Sequence, residues 1–145
     1  MEFKFKSEIK DVNERKQISE KLIKLYPDKI PIICEKDPVS KIKGIEKTKY
    51  LINKNFTVSL FSLLLRNKIE LNPEEAFFLL ANGKYSILGE ARLSDIYEKY
   101  ADKDDGFLYI VYVEKNLWEA HKGNFFKIII FIIFIILIKV FFKLN

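Results

Sequence analysis

The chain has 145 residues, about one domain's worth, and is 49% apolar and 31% charged with five glycines and four prolines, which excludes collagen-like, low-complexity and wholly disordered classes. A single cysteine, Cys34, and a single histidine, His121, exclude a disulfide framework, a multi-cysteine zinc site and histidine-rich metal chemistry, so no metal or cofactor is expected. The net charge of +5 divides into +5 over residues 1–54, −3 over 55–123 and +3 over 124–145. The basic N-terminal third suits an acidic partner, whereas a pI of 9.1 without an aromatic-plus-basic motif excludes a nucleic-acid partner.

The start, Met1-Glu2-Phe3-Lys4-Phe5-Lys6, lacks the apolar core of a signal peptide and points to a cytosolic chain. A short helix is expected around Phe5 to Ile9. Asp11-Val12-Asn13-Glu14 has capping-box spacing, and Ile18, Leu22, Leu25 and Tyr26 then recur at helical intervals. These predict a helix over about residues 12–25, stopped by Tyr26-Pro27-Asp28. Ile30-Pro31-Ile32-Ile33-Cys34-Glu35 is β-branched and reads as a strand with its proline near the start. Lys49 to Asn53 reads as a second strand. Thr57 can cap a helix carrying Val58, Phe61, Leu64 and Leu65 on its apolar face. Phe77–Ala81 and Tyr85–Leu88 flank Asn82-Gly83, a strong hairpin signal. Leu93, Ile96, Tyr97 and Tyr100 mark another amphipathic helix, with Ser94 as its expected cap.

After Asp104-Asp105-Gly106 comes Phe107-Leu108-Tyr109-Ile110-Val111-Tyr112-Val113, an unbroken apolar or aromatic run suited to a central strand covered on both faces and paired in parallel. Strand–strand–helix–strand–strand around one long helix is the α+β, ubiquitin-like β-grasp plan, here with two extra N-terminal helices. The expected organisation is a helical N-terminal part over 1–29, a β-grasp core over 30–118, a linker over 119–124 and a hydrophobic segment over 125–142.

Particular strings then become recognisable. Tyr26-Pro27-Asp28-Lys29-Ile30-Pro31-Ile32-Ile33-Cys34-Glu35-Lys36, Lys49-Tyr50-Leu51 and Asp105-Gly106-Phe107-Leu108-Tyr109 resemble, in order, the autophagy ubiquitin-like modifiers, the family of autophagy protein eight and the GABA-receptor-associated protein. The resemblance runs from about Phe5 to Trp118. It implies a non-enzyme with no catalytic residue, joined through a C-terminal glycine to phosphatidylethanolamine. Its partners would be cargo receptors, membrane machinery and the family's protease and conjugation enzymes. Its place would be the cytosol and the cytoplasmic face of autophagosomes or other vesicles.

The family's partners carry an acid-flanked aromatic-x-x-aliphatic peptide that adds to an exposed strand edge. Here the resemblance places that edge at Lys49 to Asn53. It implies an aromatic pocket of Leu22, Pro31, Ile33, Lys49, Leu51 and Phe107, and an aliphatic pocket of Tyr50, Ile52, Phe56, Phe61 and Leu64. Lys47, Lys49 and Lys54 would attract the acidic flank. Taken by themselves, Leu22, Phe61 and Leu64 read equally well as core. Two positions depart from the family: Ile18 stands where a rim glutamate is usual, and Asn53 replaces a proline.

A Cys34/His121 nucleophile pair is the competing enzyme reading. It requires an accessible thiolate, whereas Cys34 lies inside an apolar strand. No Gly-rich phosphate loop, metal spacing or serine-triad motif is present.

At the C-terminus Asn116-Leu117-Trp118-Glu119 puts glutamate where the family ends in glycine. The next glycine is Gly123, which leaves it as the candidate for lipid conjugation. Phe125 to Phe142 is 18 residues, 16 of them apolar. As a helix it would extend about 27 Å against a hydrocarbon core of about 30 Å, and so suits a tail anchor. That makes an unconjugated, tail-anchored adaptor in vesicle trafficking an alternative function. Eight Ile and six Phe in residues 124–145 equally suit a buried helix, an aggregation-prone strand or a removed propeptide. They also suit translated non-coding sequence, since Ile, Phe, Lys and Asn all have codons of A and T alone.

Overall fold

The computed structural model describes residues 2–69, 71–72 and 74–143, with the backbone alone at 121, 124–126 and 137–143. In chain order the elements are α1 (Lys4–Glu8), α2 (Val12–Leu25), β1 (Lys29–Lys36), β2 (Lys49–Asn53) and α3 (Val58–Arg66). They continue with β3 (Phe77–Ala81), β4 (Tyr85–Ile87), α4 (Leu93–Tyr100), β5 (Leu108–Glu114) and α5 (Lys115–Lys143). Residues Met1–Glu114 form one compact unit and Lys115–Asn145 a second.

The apolar run after Gly106 becomes the middle of a five-stranded mixed sheet of order β2-β1-β5-β3-β4. β5 pairs in parallel with β1, Ile32 opposite Leu108, and antiparallel with β3, Leu80 opposite Val111. Leu108 through Val113 are all buried, since alternate side chains meet cover on opposite faces of the sheet. One face carries the main core, where Ile32, Cys34, Leu79, Ile110 and Tyr112 pack with Val58, Phe61 and Leu65 of α3. On the other face, Phe3 lies 4.7 Å from the Tyr109 ring and Phe5 lies 5.1 Å from that of Phe107. The β3–β4 turn takes positive φ at Asn82 (53°) and Gly83 (68°), the geometry that the Asn-Gly pair favours.

Helix ends show where local chemistry was readable. Asp11 caps α2 by accepting from the Asn13 amide, and Thr57 caps α3 by accepting from the Leu60 amide. Ser94 does not cap α4. The N-cap is Arg92, and the first amides of α4 are met by backbone instead: Leu93 donates to the Phe56 carbonyl (2.8 Å) and Ser94 to that of Lys54 (2.9 Å). The amides of Lys4 and Phe5, at the start of α1, donate to the two carboxylate oxygens of buried Glu35 in β1 at 2.8 and 2.9 Å.

The face that α2 turns inward is polar. Arg15 and Ser19 are its buried residues, while Ile18 and Leu22 are half-buried and Leu25 is 60% exposed. The cause is Asp105, whose side chain has no exposure to solvent. Its Oδ2 accepts from Arg15 Nε at 2.7 Å and from the Tyr109 hydroxyl at 2.7 Å, and its Oδ1 accepts from the Phe107 amide at 3.1 Å. The Ser19 hydroxyl donates to the Asp105 carbonyl. Arg15 also donates to the carbonyls of Ile9 and Lys10.

α5 runs unbroken from Lys115 to Lys143, through residues 119–124 where the sequence predicts a linker. The expected membrane-crossing helix is not found: among the described residues, no helix is long and apolar enough to cross a membrane. Of the expected segment 125–142, the side chains at 125–126 and 137–142 lie outside the described residues.

Removing one partner of a buried ion pair strands the other charge. Asp105→Ala should therefore lower stability by about 3–5 kcal/mol, read as a drop in the midpoint of urea unfolding.

Candidate functional site

β2 is an edge strand, paired antiparallel with β1 alone, from Lys29 opposite Asn53 to Ile33 opposite Lys49. Alternation sends Tyr50 and Ile52 into the core and leaves Lys49, Leu51 and Asn53 on the opposite face. Asn53 ends the strand, its Oδ1 accepting from the Asn55 amide at 2.9 Å.

Beside this edge lies a groove of about 270 Å³. α2 supplies Ile18 and Leu22 to one wall, and the N-terminal segment supplies Phe5 and Ile9. The strands supply Ile32, Lys49, Tyr50 and Leu51, with Lys47 just before β2 and Phe107 just before β5. Of the residues predicted for an aromatic pocket, the structure brings Leu22, Lys49, Leu51 and Phe107 to this groove. Pro31 and Ile33 are buried in β1, and Ile32 lines the groove in their place. Phe5 and Ile9 escaped the sequence reading, although their spacing of four on a short helix would have put them on one face.

The residues predicted for an aliphatic pocket divide differently. Tyr50, Ile52 and Phe61 are core residues, the first and last in an edge-to-face contact at 5.7 Å, and Leu64 packs half-buried against them. Phe56 is 38% exposed and lies outside that cluster.

Cations edge the groove. Lys49 Nζ lies 5.2 Å from the Phe5 ring centroid and Lys47 Nζ lies 5.6 Å from that of Tyr50. Exposed Lys54 follows at the end of β2, its amide donating to the Asp28 carbonyl at 2.9 Å. Tyr50 turns its hydroxyl into the interior, where Oη is buried without a hydrogen-bond partner. Burial, helped by Cys34 and Tyr112, pushes this phenol up to about 12.

The candidate enzyme residues lie elsewhere. Cys34 is fully buried, and burial together with the nearby Glu35 charge pushes its thiol well above the usual range. A nucleophilic thiol needs the reverse, an accessible and electropositive setting. The His121 side chain lies outside the described residues. Among the described residues no cluster of His, Cys, Asp or Glu could hold a metal ion. Gly123 lies within α5, exposed, with open space where a Cβ would stand. Glu119 is ion-paired with Lys115 at 3.8 Å, one turn away on the same helix.

Residues 14–119 match the model of a protein family described as autophagy protein Atg8, ubiquitin-like. The chain is 41% identical over 116 residues to autophagy-related protein 8 of Coccidioides immitis, covering 80% of this chain and 97% of that protein. To the protein of the same name from Aspergillus niger it is 40% identical over 116 residues, covering 80% and 96%. Among solved structures it is similar to the crystal structure of Trypanosoma brucei ATG8, with a TM-score of 0.72 and 34% identity over 79% of this chain and 97% of that one.

A thiol so deeply buried reacts only when the sheet opens. In native buffer Cys34 should resist Ellman's reagent on the timescale of minutes, and the single thiol should titrate fully in 6–8 M urea. Rapid native labelling would revive the enzyme reading.

Proposed function

Because this chain belongs to the Atg8 family of ubiquitin-like autophagy proteins, we propose that it is an autophagy adaptor that captures acid-flanked aromatic-x-x-aliphatic peptides of cargo receptors and autophagy machinery. The observation that carries this reading is an apolar groove opening directly beside an edge strand. An extended peptide laid along Lys49–Asn53 would continue the sheet through backbone hydrogen bonds and drop an aromatic side chain between α2 and Leu51. Lys47, Lys49 and Lys54 line the approach, so acids beside the anchor gain charge-assisted contacts that weaken with salt. The aliphatic anchor would settle nearer Tyr50, Ile52, Phe56, Phe61 and Leu64, where the core would have to part for it.

Membrane attachment in this reading goes through lipid, in keeping with the autophagosomal and cytosolic setting of the family. Gly123 is the glycine that follows Gly106 in this sequence, and conjugation to phosphatidylethanolamine beyond the sheet is assigned to it in this reading. Its helical setting adds a step, because protease clefts read extended chain. The turns of α5 around Gly123 would have to unwind before the family's protease and conjugation enzymes could act.

Two measurements test the proposal. Titration of such a peptide should give micromolar affinity, about −8 kcal/mol, with NMR shifts at Leu22, Leu51 and Phe107. Leu51→Ala should weaken binding about ten-fold or more without moving the urea midpoint, because Leu51 is half-buried whereas Tyr50 belongs to the core. No shifts in that region would overturn the adaptor reading. For attachment, intact mass spectrometry of the cellular protein should find a species ending at Gly123, free or joined to the lipid, and Gly123→Ala should abolish it. A full-length, carbonate-resistant species alone would overturn this route.

A further inference from the structure

The groove offers a ligand hydrocarbon and cations, and no side chain that accepts a hydrogen bond. Ile18, Leu22, Leu51 and Phe107 present only carbon, as do Phe5 and Ile9. Its two charged side chains, Lys47 and Lys49, are donors without acceptor capacity. Tyr50 borders the groove, but its ring packs edge-to-face on Phe61 in the core and its hydroxyl is buried in the interior. The Ile32 main chain sits between two paired strands, in register with Tyr50 on one side and Leu108 on the other. Ile18 stands one turn before Leu22 on the wall that α2 supplies, so its side chain decides whether that wall can accept a hydrogen bond.

We propose that Ile18 makes this groove selective for an anchor ring that carries no donor: it takes phenylalanine and discriminates against tyrosine and tryptophan. The inference rests on the peptide-binding reading above. With the outward carbonyls of β2 taken by the backbone of the bound peptide, a phenol or indole entering the groove exchanges its hydrogen bond to water for side chains that cannot accept one, and an unmet buried donor is costly. A hydrocarbon ring has no donor to leave unmet.

The test uses the full chain and two ligand sets. The first holds the bare rings toluene, p-cresol and 3-methylindole, followed by protein NMR shifts. The second holds three acid-flanked peptides differing only in Phe, Tyr or Trp at the anchor. In both sets the hydrocarbon ring should bind most tightly, with the phenol about ten-fold weaker and the indole no tighter than the hydrocarbon despite its larger area. Ile18→Gln supplies an acceptor and should raise the phenol and indole about ten-fold relative to the hydrocarbon ring. Ile18→Val keeps the wall hydrocarbon and should preserve the original order. Tighter binding of the Tyr or Trp peptide by the unmodified chain, or an order that Ile18→Gln leaves unchanged, would overturn the selectivity while leaving peptide binding intact. Rings that follow the expected order while no peptide binds would support the selectivity and overturn the peptide reading.

Discussion

A single carboxylate, that of Asp105, ties together the parts from which the groove is made. It lies with no exposure to solvent and receives Arg15 from α2, the Tyr109 hydroxyl from β5 and the Phe107 amide from the loop between. A buried charge tolerates little slack, because each lost partner returns part of its desolvation cost. The helix is therefore held by its polar side. Gly106 at φ +76° tightens the arrangement, since a Cβ there would lie 2.8 Å from Ser19 Oγ. With Arg15 and Ser19 turned inward, Ile18 and Leu22 are left facing outward, and the apolar wall of the groove follows from the placement of a polar contact.

Much of the fold was legible because its signals are local or strongly periodic. Seven apolar residues after Gly106 announce a strand covered on both faces, Asn82-Gly83 announces a hairpin, and Asp11 and Thr57 announce helix starts. What was not legible depends on partners distant in sequence. α4 has no side-chain cap because carbonyls of the segment after β2 do that work, and nothing in the local string at Ser94 reveals them. The orientation of α2 required knowing that Arg15 meets a residue 90 positions away. Four residues implied for the aromatic pocket meet in one groove, whereas Pro31 and Ile33 lie covered in β1. The place of Phe5 in the groove follows from Glu35 of β1, which accepts the first amides of α1. The apolar segment reads strongly as composition, yet composition alone does not say how much of α5 can serve as a membrane span.

An exposed strand edge is both a recognition device and a hazard. β2 leaves one row of backbone groups without a neighbouring strand, which suits an incoming peptide and equally suits another copy of the same edge. Lysines at positions 47, 49 and 54 answer both needs. They repel a second identical edge, and they draw in an acidic segment. The local basic excess of the first third of the chain thus has a structural address.

The strand order has a consequence for how the chain is made. β1 and β2 pair with each other, as do β3 and β4, and the sheet joins the two pairs through β5, the last of the five strands to be synthesised. Two-stranded ribbons are marginal in water, and nascent chains emerge from the N-terminus. A growing chain must therefore carry two half-sheets with open inner edges, one of them rich in isoleucine, until residues 108–114 arrive between them. Contacts of such long sequence separation close slowly. The same central strand that makes the finished sheet continuous leaves the unfinished one as a pair of adhesive edges, and the span of time between the two states is set by the distance from Lys36 to Leu108 along the chain.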